Sequence, residues 1–365
     1  MPTRGIAGTE VVLDRIDDFG GGHWGTIGPA KAQGNQWGGY NVALTRRGGI
    51  APVSASRRIT TDAVTGEIFG MRWAWGLDGL LYFVQDVGGT AYVKRFDPDP
   101  TASVSLTTVD SIADPTVTPD WFIAGGYLYL TIYGQSTYQI TPSGPSLTAL
   151  TGSSGNAPAG RAIAVYGERM LIGGISDARF GTYPSRVVYS EAADFTDWPS
   201  LNFFDVGGDG RQVRAIVPVR DQCLIVLEDG QVWQLTGVPG VDSGLRRVHG
   251  FDRSAGALSG FRAQHIVIDP TQAKAWLYDH SSRNIARYVG NSVTRLPGFG
   301  SPASNRTMAD QNQGEIVSIG GPDEVYAVKV AIPAAGAANL PQWTGLLRHA
   351  GAWAAIAHTL MTQEG

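Results

Sequence analysis

Along most of this chain, apolar residues alternate with polar ones over short runs, and glycine or aspartate breaks the runs. A side-chain period of two predicts strands, because successive residues point to opposite faces of a sheet. The stretch from Arg161 to Gly237 shows the pattern most plainly. Arg161-Ala-Ile-Ala-Val-Tyr166 predicts a strand, Gly167 and Glu168 a turn, and Arg169-Met-Leu-Ile-Gly173 a second strand. An irregular loop is expected before the strand Arg186-Val-Val-Tyr-Ser190. The aromatic, turn-rich piece Asp194-Phe-Thr-Asp-Trp-Pro-Ser-Leu-Asn-Phe-Phe-Asp205 follows. The next unit predicts strands at Gln212–Pro218, Cys223–Leu227 and Gln231–Leu235, with turns near Asp221 and at Asp229-Gly230. Strand, tight turn, strand, tight turn, strand is an antiparallel meander.

The same grammar recurs elsewhere. Met71–Trp75, Leu80–Val84 and Ala91–Phe96 form a first unit, turning at Asp78-Gly79 and Gly88-Gly89. Trp121–Ala124, Tyr127–Ile132 and Ser136–Ile140 form a second, and residues 141–160 are expected to be a linker. A fifth unit spans Gln264–Asp269, Lys274–Tyr278 and Asn284–Val289. A sixth spans Glu315–Ile319, Glu324–Ile332, Gln342–Leu347 and the run from Ala352. Meanders repeating at roughly 40–50 residues predict an all-β chain folded as a β-propeller. Six blades are expected, within a range of five to seven. A single blade has two apolar faces and buries them only by packing between neighbours. Paired aromatics at period two, Trp73 with Trp75 and Tyr127 with Tyr129, are expected between blades. Residues 1–50 break the pattern with glycine clusters and read as an extended N-terminal arm. The arm is expected to contact the propeller or a neighbouring subunit, where Trp24, Trp37 and Tyr40 can be buried. Residues 51–365 are expected to be a single β-propeller domain.

Composition adds bounds. At 43% hydrophobic and 16% charged residues, the chain is globular, and 49 Gly and 20 Pro supply many turns. A formal net charge of −4 without a basic segment argues against a sequence-reading nucleic-acid binder. The single cysteine, Cys223, lies in an apolar run and reads as a small buried hydrophobe. The opening Met1-Pro-Thr-Arg-Gly5 lacks the apolar core of a leader, and no window approaches a membrane span. Synthesis in a cytoplasm without membrane insertion is the expectation.

Candidate chemistry is sparse. The six histidines, His23, His249, His265, His280, His349 and His358, form no H-x-x-x-H pair. His265 sits in a strand-like run and is expected to be held within the sheet. Neither a G-x-S-x-G elbow nor a phosphate-binding loop occurs. Carboxylates cluster at turns: Asp78, Asp205, Asp209, Asp229 and Asp269. Asp78-Gly79 and Asp229-Gly230 have the composition of tight turns. A propeller glycosidase would need two carboxylates facing one cavity, and no pair stands out. Asp205 to Asp209 lacks the ligand spacing and distal Glu of a calcium loop. No catalytic, cofactor-binding or metal-ligating residue is therefore assigned, and no cofactor is expected. Asp194–Pro199 reads as a rigid turn, with Phe195 and Trp198 expected to be buried against the third unit.

Arg186-Val-Val-Tyr-Ser190, Asp194-Phe-Thr-Asp-Trp-Pro199 and Asn202-Phe-Phe-Asp-Val206 together resemble a segment of tail-associated β-propeller proteins of double-stranded DNA bacteriophages. Asn41-Val-Ala-Leu44 followed by Arg46-Arg-Gly-Gly49 is similar to their opening signature. The chain departs from short-tailed phage nozzle proteins in leaving little room for inserted domains. The resemblance implies a non-enzymatic virion protein of the nozzle or tail-tip ring type. It would act in the tail as a homo-oligomer, with a six-fold ring as the family pattern, contact other tail or connector proteins, and meet DNA only as it passes through a channel. The alternative from a different class is a carbohydrate-directed propeller, binding host-surface glycan or hydrolysing glycosides. Surface aromatics flanked by amides would favour sugar binding.

Overall fold

The structure is a computed structural model. It describes residues 42–44, 50–52, 68–74, 77–97, 105–113, 115, 119–208, 210–250, 266–269, 274–279, 284–289, 292–295, 316–320, 325–331, 342–349 and 352–359. Every regular element among them is a β-strand. Six four-stranded sheets follow one another along the chain, each with its strands hydrogen-bonded in sequence order. Sheet A comprises Ile68–Trp73, Leu81–Val87, Thr90–Phe96 and Thr107–Ile112. Sheet B comprises Asp120–Ala124, Tyr127–Thr131, Thr137–Ile140 and Leu147–Ala149. Sheet C comprises Ala162–Tyr166, Arg169–Asp177, Gly181–Tyr189 and Phe203–Asp205. Sheet D comprises Val213–Val219, Gln222–Leu227, Val232–Thr236 and Gly244–Arg247. Sheet E comprises Val267–Asp269, Lys274–Asp279, Asn284–Val289 and Ser292–Arg295. Sheet F comprises Ile316–Gly320, Val325–Ala331, Gln342–His349 and Ala352–Thr359.

The chain divides into two compact units, one of residues 55–296 with 315–318 and one of residues 1–54, 297–314 and 319–365. The first holds sheets A to E. The second holds most of sheet F and a hairpin, Val42–Leu44 with Ile50–Pro52. The arm's boundary at residue 50 thus falls within the second strand of that hairpin. The rest of the arm, including Trp24, Trp37 and Tyr40, lies outside the described residues.

Within the larger unit, each sheet buries its apolar faces against the next. Val84, Val93, Leu128 and Leu130 join A to B. Tyr129, Ile163, Ile172 and Trp198 join B to C. Leu171, Val187, Ile216 and Ile225 join C to D, and Val217, Leu224, Ala275 and Tyr288 join D to E. First strands of B, C and D are neighbours. They run in the same direction: the Asp120 carboxylate accepts from the Ile163 amide near the starts (3.1 Å), and the Tyr166 hydroxyl donates to the Asp221 carbonyl at the finishes (2.8 Å). Consecutive four-stranded meanders packed face to face, with the first strands of B, C and D together, make the fold a β-propeller, and each of the six predicted units corresponds to a four-stranded sheet.

Two predicted irregular stretches prove ordered. The loop expected between Gly173 and Arg186 is a long hairpin, because the second and third strands of sheet C continue past a bulge between Gly173 and Ile175. Gly174 permits the bulge with φ of +67°, where an added Cβ would lie 2.7 Å from the Val213 carbonyl oxygen. The expected linker 141–160 supplies the fourth strand of sheet B and a small hairpin, Thr151–Gly152 with Gly155–Asn156.

Candidate functional site

The segment singled out by sequence, Arg186 to Val206, forms the outer half of sheet C and the long connection that braces it. The Arg186 guanidinium is sandwiched between the Tyr183 and Phe203 rings, 3.8 Å from each centroid. It donates twice to the Asp205 carboxylate, Nε to Oδ1 at 3.0 Å and Nη2 to Oδ2 at 3.1 Å. Arg186 and Asp205 are opposed across the antiparallel register, so strand pairing itself delivers this fork. The bond to Asp205 raises the Arg186 pKa above its ordinary value. Val187 and Val188 are buried. Tyr189 packs on Phe204, and the Arg169 guanidinium lies 5.3 Å from its ring centre. Buried Ser190 accepts from the Met170 amide at its hydroxyl (3.0 Å), while its carbonyl accepts from Arg169 (2.7 Å).

The connection from Glu191 to Asn202 folds back on the sheet. Asp194 starts its turn by accepting from the amide and hydroxyl of Thr196, and those bonds, the hydroxyl's first, hold its carboxyl below the usual range. Trp198 is fully buried, and its indole N–H donates to the Phe195 carbonyl at 2.9 Å. Its amide donates to Ser154 Oγ, and its carbonyl accepts from Arg179 Nη2 at 2.8 Å. The small hairpin of the former linker is the seat for this turn: a Cβ on Gly152 would lie 2.0 Å from the Thr196 carbonyl oxygen. Trp198 is buried as expected. Phe195 departs from expectation: it stays half-buried, its ring set edge-on to Tyr129 of sheet B at 6.1 Å. It bridges two blades instead of filling the third.

Polar clasps also form within and between the sheets, and sequence reasoning missed them. Within sheet D, Arg214 pairs with Glu228 at 3.6 Å, and Glu228 accepts from the Gln212 amide. Arg161, just before sheet C, lies over the Tyr133 ring of sheet B at 4.0 Å. Burial lowers the pKa of Arg161, opposed by Tyr133 and Glu228, and lowers that of Arg72, opposed by Asp120. Between D and E, Arg246 donates to Gln234, Gln234 to Gln222, and Tyr288 to Gln222 as well. Alternation at period two carries no information about cross-blade partners.

The carboxylates weighed for chemistry are built into turns and strand pairs. Asp78 Oδ1 accepts from the Leu80 amide (3.0 Å) and Oδ2 from the Tyr82 hydroxyl (2.5 Å). Asp229 accepts from the amide and the side chain of Gln231. Gly79 and Gly230 have φ of +76° and +86°, as the turns require. Asp78 follows the first strand of sheet A and Asp229 the second strand of sheet D. Asp209, His265 and His280 lie outside the described residues, as do the side chains of Asp269, His349 and His358. Cys223 is buried, which pushes its thiol pKa up and makes it inert, as its apolar run predicts. Among the described residues, no group of three or more His, Cys, Asp or Glu could hold a metal ion, and no helix is long and apolar enough to cross a membrane.

The chain matches no family model and no curated protein. Among solved structures it is similar to Ika8, a computationally designed protein, at 10% identity over 83% of this chain and 90% of that one, with a TM-score of 0.43. It is also similar to the β-propeller domain of Cps50 (Swd1) from Myceliophteria thermophila, at 10% identity over 71% and 79%, TM-score 0.44. YCF48 bound to D1 peptide is similar at 10% identity over 75% and 94%, TM-score 0.42. The assignment as a propeller rests on the sheet order and packing described above.

Proposed function

We propose that this protein is a non-enzymatic structural component of a bacteriophage tail, acting in several identical copies that ring the DNA channel. The observation that carries the reading is the brace in sheet C. The residues through which the chain resembles phage tail propellers, Arg186, Tyr189, Ser190, Asp194, Trp198 and Asp205, engage one another or neighbouring strands of the fold. Side chains spent in this way supply rigidity, which suits a scaffold that transmits load between neighbours. Cyclic symmetry lets one repeated contact close a ring, with six copies as the family pattern. Other tail or connector proteins would be its partners. DNA would pass without being read, and the location would be the virion tail after synthesis in the host cytoplasm.

The test is a cryo-electron reconstruction of the intact particle, with light scattering on the purified chain. Density for several symmetric copies around the tail channel is the expected result. An isolated monomer on an outer fibre, or no copy in the particle, would overturn it.

A further inference from the structure

A cavity of about 540 Å³ opens between the second turns of sheets B and C, lined by Gln135, Asn156, Ser176, Asp177, Arg179 and Thr182 among others. Its volume is within the roughly 300–1,000 Å³ of small-ligand sites. The lining is polar but formally balanced, with one guanidinium against one carboxylate. Such balance disfavours a phosphate or other polyanion and suits a neutral ligand rich in hydroxyls.

The groups are held before any ligand arrives. Arg179 is tethered through Nη2 to the Trp198 carbonyl, and its guanidinium lies 4.7 Å from the Phe180 ring centre. Asp177 is fixed by amides, Oδ1 accepting from Arg179 and Phe180 and Oδ2 from Ala159 at 3.3 Å. Asn156 Oδ1 accepts from the Thr151 hydroxyl, which sets the amide's orientation and leaves its NH₂ as the donating side. Hydroxyls of Ser176 and Thr182 can donate or accept. Planar forks beside hydroxyls match vicinal hydroxyl pairs on a sugar ring.

Beside the cleft, outside its lining, the same hairpin carries an aromatic side chain. Tyr183 is 44% exposed as a residue, and its ring lies against Gly181 in the hairpin. A Cβ at Gly181 would be 2.7 Å from Tyr183 Cε2, so the bare glycine lets the ring lie flat there. Arg186 covers part of the ring at 3.8 Å and fixes it. Gly181 and Arg186 thus occupy the ring, and strand alternation turns Tyr183 to the face opposite Thr182, so it serves as a control outside the cleft.

We infer that this cleft is a binding site for a neutral saccharide, independent of where the chain sits in a particle. The test titrates the full chain, by calorimetry and saturation-transfer NMR, with lactose, maltose, cellobiose and N,N′-diacetylchitobiose. Glycerol is the open-chain polyol control and inorganic phosphate the anion probe. At least one disaccharide should bind saturably and more tightly than glycerol. Asn156→Ala and Thr182→Val should each weaken it about tenfold, about 1.4 kcal/mol, with unchanged unfolding midpoints. Tyr183→Ala, outside the lining, should leave sugar binding unchanged. Three results would overturn the inference: no disaccharide binding, phosphate binding tighter than every sugar, or sugar binding that survives the Asn156→Ala, Thr182→Val double change.

Discussion

Sheets C and D are neighbours with the same strand order, yet they join their third and fourth strands by opposite means. In D a compact turn does the work: the Asp242 carboxylate accepts from the Val238 amide at 2.7 Å, and the Val238 carbonyl accepts from the amides of Val241 and Asp242. In C a long connection carries a fully buried tryptophan and is anchored to Ser154, Arg179 and Glu191. The turn in D closes on its own backbone. The connection in C also bonds within itself, Glu191 amide to Asp197 carbonyl and Asn202 to Glu191, but adds another sheet and the small hairpin as a seat. A local turn stabilises its own blade, whereas the brace ties blade C to blade B through Trp198, Phe195 and Tyr129.

The sharpest way to break this contrast is Trp198→Ala. Removing a fully buried indole should cost about 3–5 kcal/mol, read as a lowered denaturation midpoint. A loss below about 0.5 kcal/mol, the scale of surface changes, would show that the brace does not couple the blades. Next is Gly173→Ala, at the contact between C and D. Its Cβ would lie 2.7 Å from Val213 Cγ1 and 2.9 Å from Ile216 Cδ1. Overpacking of this kind should cost about 1–3 kcal/mol; a neutral outcome would mean that the seam between C and D can yield.

Smaller effects separate the two closures. Arg186→Lys keeps the charge but loses the bidentate fork and the double ring contact, and should cost about 1 kcal/mol. The ion pair adds little of that, since Asp205 is nearly half exposed. Asp242→Ala should cost about 0.5–1.5 kcal/mol, the worth of one turn hydrogen bond. Equal losses for Asp242→Ala and Trp198→Ala in parallel denaturation series would erase the distinction between local and braced closure.

How much of this was legible in the chain follows from where each strand lies. First and second strands such as Val213–Val219 and Gln222–Leu227 are almost wholly buried, so their apolar runs announce them. Fourth strands Thr107–Ile112, Leu147–Ala149 and Gly244–Arg247 are mostly exposed and polar, with no alternation to read. That is why residues 141–160 looked like a linker. The extension of sheet C through Asp177 and Gly181 was hidden by its Gly173-Gly174 bulge and exposed tip. At the brace, composition pointed to Trp198 as an anchor, but its seat at Gly152 and Ser154 is a tertiary match with no local signal. The cleft beside Arg179 is likewise assembled from three separate turns.

The gentlest probe of the comparison is alkaline titration. Tyr129, beneath the Phe195 ring of the brace, has its pKa raised to about 12, by burial first and then by Tyr127. Tyr166, whose hydroxyl reaches the first turn of sheet D at Asp221, is also raised, again by burial first. A phenol whose pKa is higher folded than unfolded favours the native state while it stays protonated. The Tyr129 contribution is therefore whole below the unfolded value of about 10 and fades as pH rises from there through about 12. Tyr129→Phe should remove its share of that alkaline decline, leaving a shallower loss of stability over the same window than the parent chain shows. Phenolate absorbance gives the independent check. A native-state Tyr129 titrating near 10 would mean that water reaches the underside of the brace, and blade C would then be closed no more tightly than blade D.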